Sequence, residues 1–235
     1  MVIKQDGIYT HVLSENISEF DKNNIIIYSQ EPLKVNYAYN GYYNCPFEWK
    51  KEKFVCVDLS CNKSFDFDHL LKYRTFCIQN HCSFIFYKTS EYLKVNGKMY
   101  HIDSTNQIAQ ARKANIDFIY YPIFDRLLKS EFRSSFHLNK KDIQYIHEKG
   151  IHCIKQHAYD FVKQKLKNKL ENDGKQTPMK GHPVFKAMHA CACCCRSCLY
   201  KWHKIETDHV LNENEIDYIV NVLMSWVDIE LAKTN

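Results

Sequence analysis

Between His189 and His203 the chain places five of its eleven cysteines, Cys191, Cys193, Cys194, Cys195 and Cys198. Cys195 and Cys198 are spaced C-x-x-C, which lets two thiolates sit on one tight turn and face one ion. His189 and His203 flank the pair and would complete a tetrahedral Cys2His2 set suited to zinc. Cys194 competes for a place, since it also lies close enough to Cys198 to share an ion. Three thiolates and one histidine would suit zinc, or an iron–sulfur cluster in which histidine replaces a cysteine. Cys191 and Cys193 read as bystanders. The alternative without metal is a buried segment, Met188 to Cys195, whose cysteines are small apolar fillers.

The elements that must carry this stretch are legible on both sides of it. Asn139 is placed to cap a short helix through Ile143 and Ile146 that ends at Gly150. Ile151, Ile154, Ala158, Phe161, Val162 and Leu166 then mark one face of a longer basic helix, stopped by Asn172-Asp-Gly174. His157 falls among them and reads as a satisfied histidine at the core edge. A loop punctuated by Pro178, Gly181 and Pro183 delivers the chain to the cysteines. Beyond them Asn212 and Glu215 form a capping pair, and Ile216, Ile219, Val220, Leu223, Val227 and Leu231 line a final helix beside Trp226.

Ahead of Phe124 the chain reads as β-rich. Ile25–Tyr28, Lys53–Val57, Ser83–Tyr87 and Phe118–Tyr121 are short β-branched or aromatic runs of strand length. Asn96-Gly97 between Tyr92–Val95 and Lys98–Ile102 is a hairpin signal, and helical pieces are expected at Phe67–Tyr73 and Asn106–Ala114. The fold class expected is therefore α+β: a β-rich mixed module over 1–123, then a mostly helical module over 124–235 with a Cys/His metal site. Cys56, Cys61, Cys77 and Cys82 form two pairs of equal spacing, for which simple burial is favoured over a second metal site. The tyrosines of Tyr37–Tyr43 beside Trp49 fit a stacking platform for bases or, more commonly, an edge strand.

A content of 45% hydrophobic and 14% aromatic residues is ample for a folded core and excludes a disordered chain. No run approaches the roughly 20 apolar residues of a membrane span, and no signal peptide is evident, so a cytoplasmic protein without membrane contact is expected. An odd cysteine count in a reducing compartment favours thiols and metal ligands over disulfides. The formal charge of +5 is concentrated between Lys129 and Lys175, where eleven basic residues face six acidic ones. Such a belt attracts phosphates, yet a lysine-rich helix is more often a solvated face. Lys163, Lys165, Lys167, Lys175 and Arg196 are the candidate contacts to a phosphate or partner.

Several blocks carry a resemblance. Lys129-Ser-Glu-Phe-Arg-Ser-Ser-Phe-His-Leu138, Asn172-Asp-Gly-Lys-Gln-Thr-Pro-Met179, Gly181-His-Pro-Val-Phe185, Cys194-Cys-Arg-x-Cys198-Leu and Lys201-Trp-His203 occur in order over about the last 110 residues. Together with His157, His189 and Ile205 they resemble a bacterial and phage domain family of unknown function, marked by FRxxFxL, NDGKQTPMxGHPVF and CCRxCLxKWHxI. Members of that family usually carry threonine-like residues at the positions of Cys191 and Cys193. The resemblance thus implies that Cys194, Cys195 and Cys198 are the thiols that matter. It implies a shared module and no particular reaction.

The function expected is a metal-stapled, zinc-containing binding protein of a bacterium or phage that contacts nucleic acid or an acidic protein surface. One alternative is a metal-dependent, hydrolase-like enzyme with Asp173, Glu206 or His182 as acid or base. Another is a mobile-element inhibitor of a bacterial immune system.

Overall fold

The computed structural model describes residues 116–168 and 173–233 throughout; in 1–115 it describes the elements named below and positions 81, 91, 103 and 105. The chain forms two compact units, Met1–Phe118 and Ile119–Asn235.

In the first unit the described residues form three small sheets. β1 (Val2–Gln5), β2 (Thr10–Leu13) and β3 (Ile25–Tyr28) make one. A second runs β4 (Tyr39–Gly41), β5 (Phe54–Asp58) and β7 (Ser83–Lys88), all parallel, and the third runs β6 (Ser64–Asp66), β8 (Tyr92–Val95) and β9 (Lys98–His101). β8 and β9 are antiparallel with Val95 opposite Lys98, as a hairpin requires, and the intervening Asn96-Gly97 lies outside the described residues. Parallel neighbours need a crossover. Between β5 and β7 the crossover includes α1 (Phe67–Gln79), which buries Leu70, Cys77 and Ile78. The helix runs past the expected Tyr73 because its apolar face continues into these last two residues.

The strand expected at Phe118–Tyr121 is reduced to a single bridge. Phe84 and Phe118 exchange both backbone hydrogen bonds at 2.7 and 2.8 Å, and pairing stops there. Pro122 has no amide to offer a ladder, and the Tyr121 carbonyl accepts instead from Phe124 at 3.0 Å to open the first helix of the second unit. Tyr121 is buried against Phe124 and Tyr218. The expected helix at Asn106–Ala114 lies outside the described residues, as do Cys61, Cys82, Tyr37, Tyr42, Tyr43 and Trp49. Of the possible stacking platform, Tyr39–Gly41 is the edge strand β4 among the described residues.

The second unit is helical. α2 (Ile123–Leu127) and the single turn α3 (Glu131–Ser134) lead into α4 (Lys140–Lys149) and α5 (Ile151–Leu166). Asn139 and Asp142 form a reciprocal capping box at the start of α4, and Gly150, at φ 81°, ends it. Ile154, Ala158, Val162 and Leu166 of α5 are fully buried, at the expected spacing. α5 stops at Leu166, ahead of Asn172, because its last carbonyls are taken from outside: Leu166 by Arg196 at 3.2 Å and Lys167 by the Leu211 amide at 3.0 Å.

α6 (Pro183–Ala190), α7 (Arg196–Cys198), a π-helical turn (Leu199–His203) and α8 (Glu213–Ala232) complete the unit. Asn212 and Glu215 cap α8 reciprocally. That helix is buried on more than the one expected face, since Val222, Met224, Ser225, Asp228 and Glu230 are also shielded. Each fully buried aliphatic side chain of this core contributes about 1.5–3 kcal/mol. The buried Glu230 carboxylate accepts from the Leu138 amide at 3.1 Å and bonds His137 Nδ1 at 3.2 Å, tying the segment before α4 to the central helix. No helix among the described residues is long and apolar enough to cross a membrane.

Candidate metal centre

α6 opens on His182, whose Nδ1 accepts the Val184 amide at 3.1 Å, with Pro183 in the first helical position where a missing N–H costs nothing. It ends in a Schellman motif: Cys193 N–H reaches the Met188 carbonyl at 2.7 Å, and Ala192 N–H reaches His189 at 3.2 Å. Ala192 sits at φ 55° in the left-handed region. Beyond this tight reversal the thiols of Cys194, Cys195 and Cys198 fall on one spot.

The sulfur atoms of Cys194, Cys195 and Cys198 all lie within 4.8 Å of one another, the one group of three potential ligands this close among the described residues. Cys194 and Cys198 are 3.6 Å apart, and Cys195 caps α7 by accepting the Cys198 amide at 3.4 Å. Cys194 and Cys195 are buried, and Cys198 is partly exposed. Arg133 faces them from α3, with Nη2 3.1 Å from Cys198 Sγ and Nη1 3.6 Å from Cys194 Sγ. Hydrogen bonds from Cys194 and Cys195, together with the Arg133 charge, hold Cys198 well below the ordinary thiol range. Cys195 is pushed upward because it donates to Cys194 and Cys198. The Arg133 guanidinium thus favours a thiolate within the cluster, and the thiolate is the metal-binding form.

A polar loop braces the cluster. Asp173 Oδ1 accepts the Arg196 amide at 2.9 Å and Gln176 Nε2 at 2.8 Å, while Oδ2 accepts the Ser197 amide at 2.8 Å and its hydroxyl at 2.6 Å. Thr177 donates its hydroxyl to the Cys194 carbonyl at 2.8 Å. Asp173 therefore holds the amides that open α7, and both of its oxygens are occupied. The hydrogen bonds from Ser197, Gln176 and Arg196 outweigh burial and keep its carboxyl below the usual range.

The histidines do not join the three sulfurs. His189 is buried and donates Nε2–H to the Thr177 carbonyl at 3.1 Å, with its ring stacked on Phe136 at 5.3 Å. Burial lowers its pKa, and an Nε2–H donated to that carbonyl leaves the neutral ring's lone pair on Nδ1. His203 spends both nitrogens elsewhere: Nε2 on the Cys191 carbonyl at 2.8 Å and Nδ1 on the Tyr218 hydroxyl at 3.0 Å. Cys191 and Cys193 are fully buried in the core, and burial raises both thiols well above the ordinary range.

Arg196, expected at a partner surface, is the largest fully buried side chain described. Its guanidinium donates to the carbonyls of Leu166 at 3.2 Å, Glu206 at 2.6 Å and His209 at 2.8 Å, knitting three segments together. Of the basic belt, Lys163 and Lys167 approach Glu213 at 3.0 and 3.9 Å. Lys165 bonds the Gln176 carbonyl at 3.1 Å and lies over the Phe185 ring. Lys175 is exposed.

His157 and His182 form a directed chain. Because the Val184 amide fixes His182 Nδ1 as acceptor, neutral His182 donates Nε2–H to His157 Nδ1 at 3.1 Å, and His157 Nε2 meets Cys153 Sγ at 3.6 Å. Burial first, then the adjacent His157, lowers His182 to about 4. His182 is thereby committed to capping. Arg133 is the site residue that spacing did not reveal. The FRxxF block marked the segment, but nothing in the sequence places position 133 beside 194 and 198.

No solved structure matches the chain. Residues 121–228, within the helical unit, match the family model described as Domain of unknown function (DUF4186).

Proposed function

We propose that the helical unit is a metal-stapled binding module in which Cys194, Cys195 and Cys198 hold one thiophilic divalent ion, zinc by preference, with His189 Nδ1 as the protein donor best prepared for a fourth position. The observation that carries the reading is the convergence of three sulfurs on a turn fixed by Asp173, Thr177 and the Schellman reversal. Two buried thiols and a half-buried one gathered under a guanidinium are a costly arrangement for an apolar core and an apt one for a thiolate-bound cation. In the His189 assignment, the Thr177 carbonyl serves as the partner that orients a ligating imidazole.

A structural role for the ion is supported by the occupation of two of the three candidate acids and bases: Asp173 and His182 are spent on helix starts. For the partner, the intramolecular engagement of Lys163, Lys165 and Lys167 weakens the nucleic-acid reading. Exposed Phe132, Met179 and Tyr200 support a protein surface. In this reading residues 1–118 form a separate domain.

The test is metal content per chain after purification without added metal or chelator, with replacement by Co(II). One zinc per chain and a thiolate-to-cobalt charge-transfer band lost in Cys198→Ser are expected. Absence of metal together with no cobalt band would reject the site, and iron with visible colour would replace zinc by a cluster.

A further inference from the structure

Three thiolates around one divalent cation leave a net charge of minus one, and a buried net charge is expensive unless a counter-charge is fixed beside it. Cys194 and Cys195 are 7% and 4% exposed, so bulk water does not supply that compensation to them. Among the described residues one cation touches the cluster: the Arg133 guanidinium, 3.1 Å from Cys198 Sγ and 3.6 Å from Cys194 Sγ. The same Nη1 donates to the His189 carbonyl at 2.6 Å. The fork thus spans two thiols and the backbone of the histidine proposed for the fourth position.

Its own placement is well determined. Ser130 caps the α3 turn by accepting the Arg133 amide at 3.4 Å, and Arg133 Cζ lies 4.9 Å from the Phe132 ring centroid. Phe136, one turn on, stacks on the His189 ring at an interplanar angle of 10°. The FRxxF block therefore acts as a brace whose arginine meets the sulfurs and whose second phenylalanine meets the histidine.

Resting on the metal reading above, we infer that Arg133 is the positioning residue of the three-cysteine site: it orients Cys194 and Cys198 for one ion and neutralises the charge of the loaded centre. An arginine suits this better than a lysine, because its planar fork bonds two sulfurs at once where an ammonium supplies a single point of charge. Charge also bears on the choice of ion. With a divalent cation the loaded site and Arg133 sum to zero, so the fourth donor is neutral, as an imidazole or a water is.

The experiment uses the full-length protein and its Arg133→Gln and Arg133→Lys variants. Zinc affinity is measured by competition with a chromophoric chelator, and the thiolate-to-cobalt charge-transfer band is recorded for each. Loss of a partner that orients metal ligands typically weakens binding about 10–100-fold. Arg133→Gln is expected to fall in that range with an altered cobalt band, and Arg133→Lys to recover part of the affinity. Wild-type affinity and an unchanged band in Arg133→Gln would overturn the assignment while leaving the metal site standing, even if that variant melts earlier. A wild-type protein with no cobalt band would overturn both. Should Arg133→Gln fail to fold, Arg133→Lys decides alone: full wild-type affinity and spectrum would reject the need for the fork.

Discussion

At the scale of single residues, the unit separates thiols and cations by what surrounds them rather than by type. Cys191 and Cys193 are sealed in the core, where Cys193 Sγ meets His203 Nε2 at 3.3 Å, whereas Cys194, Cys195 and Cys198 share one spot under Arg133. Arg196 and Lys163 are both cations beside the same helix, yet one is sealed inside and the other lies 44% exposed near Glu213. Their energetic weights should differ accordingly. Arg196→Met keeps much of the volume but strips the Leu166, Glu206 and His209 carbonyls of their donor. A buried polar group left unsatisfied costs about 1–3 kcal/mol, so a loss of about 2–4 kcal/mol is expected in urea unfolding. Lys163→Gln should stay within about 0.5 kcal/mol, as exposed ion pairs do. Equal effects of the two substitutions would show that Arg196 does not knit the segments.

At the scale of elements, much of the helical unit was legible because its signals are local. The Asn139 cap, the Asn212/Glu215 capping pair, the stop at Gly150 and the spacing of the α5 core face are properties of neighbouring residues, and the structure carries them all. The trio Cys194, Cys195 and Cys198 was legible from the stretch and the resemblance, and its sulfurs lie together, whereas local spacing cannot report that His203 is pinned to the Cys191 carbonyl and Tyr218. Arg133, 61 positions before Cys194, lay beyond any local signal. The start of α6 shows an element tuned by one such distant contact, since His182 must be neutral to cap it while touching His157. An unfolded histidine takes up its proton near pH 6.5, and folded His182 does so only at about 4. Between those values the unfolded chain binds more protons, so stability rises with pH and is fully present only above about 6.5. The contribution is on the order of 2–3 kcal/mol. His182→Asn keeps an acceptor for the Val184 amide and removes the titration. Urea unfolding of this variant between pH 4 and 6.5 should therefore show a shallower slope than wild type. An unchanged slope would assign the pH dependence to other groups.

At the scale of the molecule, the helical unit has two sources of cohesion that can be separated. α5, α6 and α8 share an apolar core containing Ile154, Val162, Met188, Ile219 and Leu223, none of which can ligate through a thiolate or imidazole. The α3 turn, the 173–181 loop and the 194–203 segment instead meet around the three cysteines through polar contacts to Arg133, Asp173 and Thr177. An ion bound there belongs to the folding free energy of that second set, because the ligands are not assembled in the unfolded chain. At a free concentration about 1,000 times its dissociation constant the ion adds about 4 kcal/mol. For a unit of this size that corresponds to a melting shift of at least about 10 °C. Chelation should thus lower the melting temperature by that amount while most helical circular dichroism persists below the transition. Limited proteolysis of the chelated protein should cut first at Lys175, Lys180, Lys201 or Lys204, in the segments that meet around the cysteines, and leave α5 and α8 uncut. The same melting temperature and cleavage pattern with and without chelator would mean that the apolar core alone holds the unit together, and the cysteine cluster would lose its role as a staple.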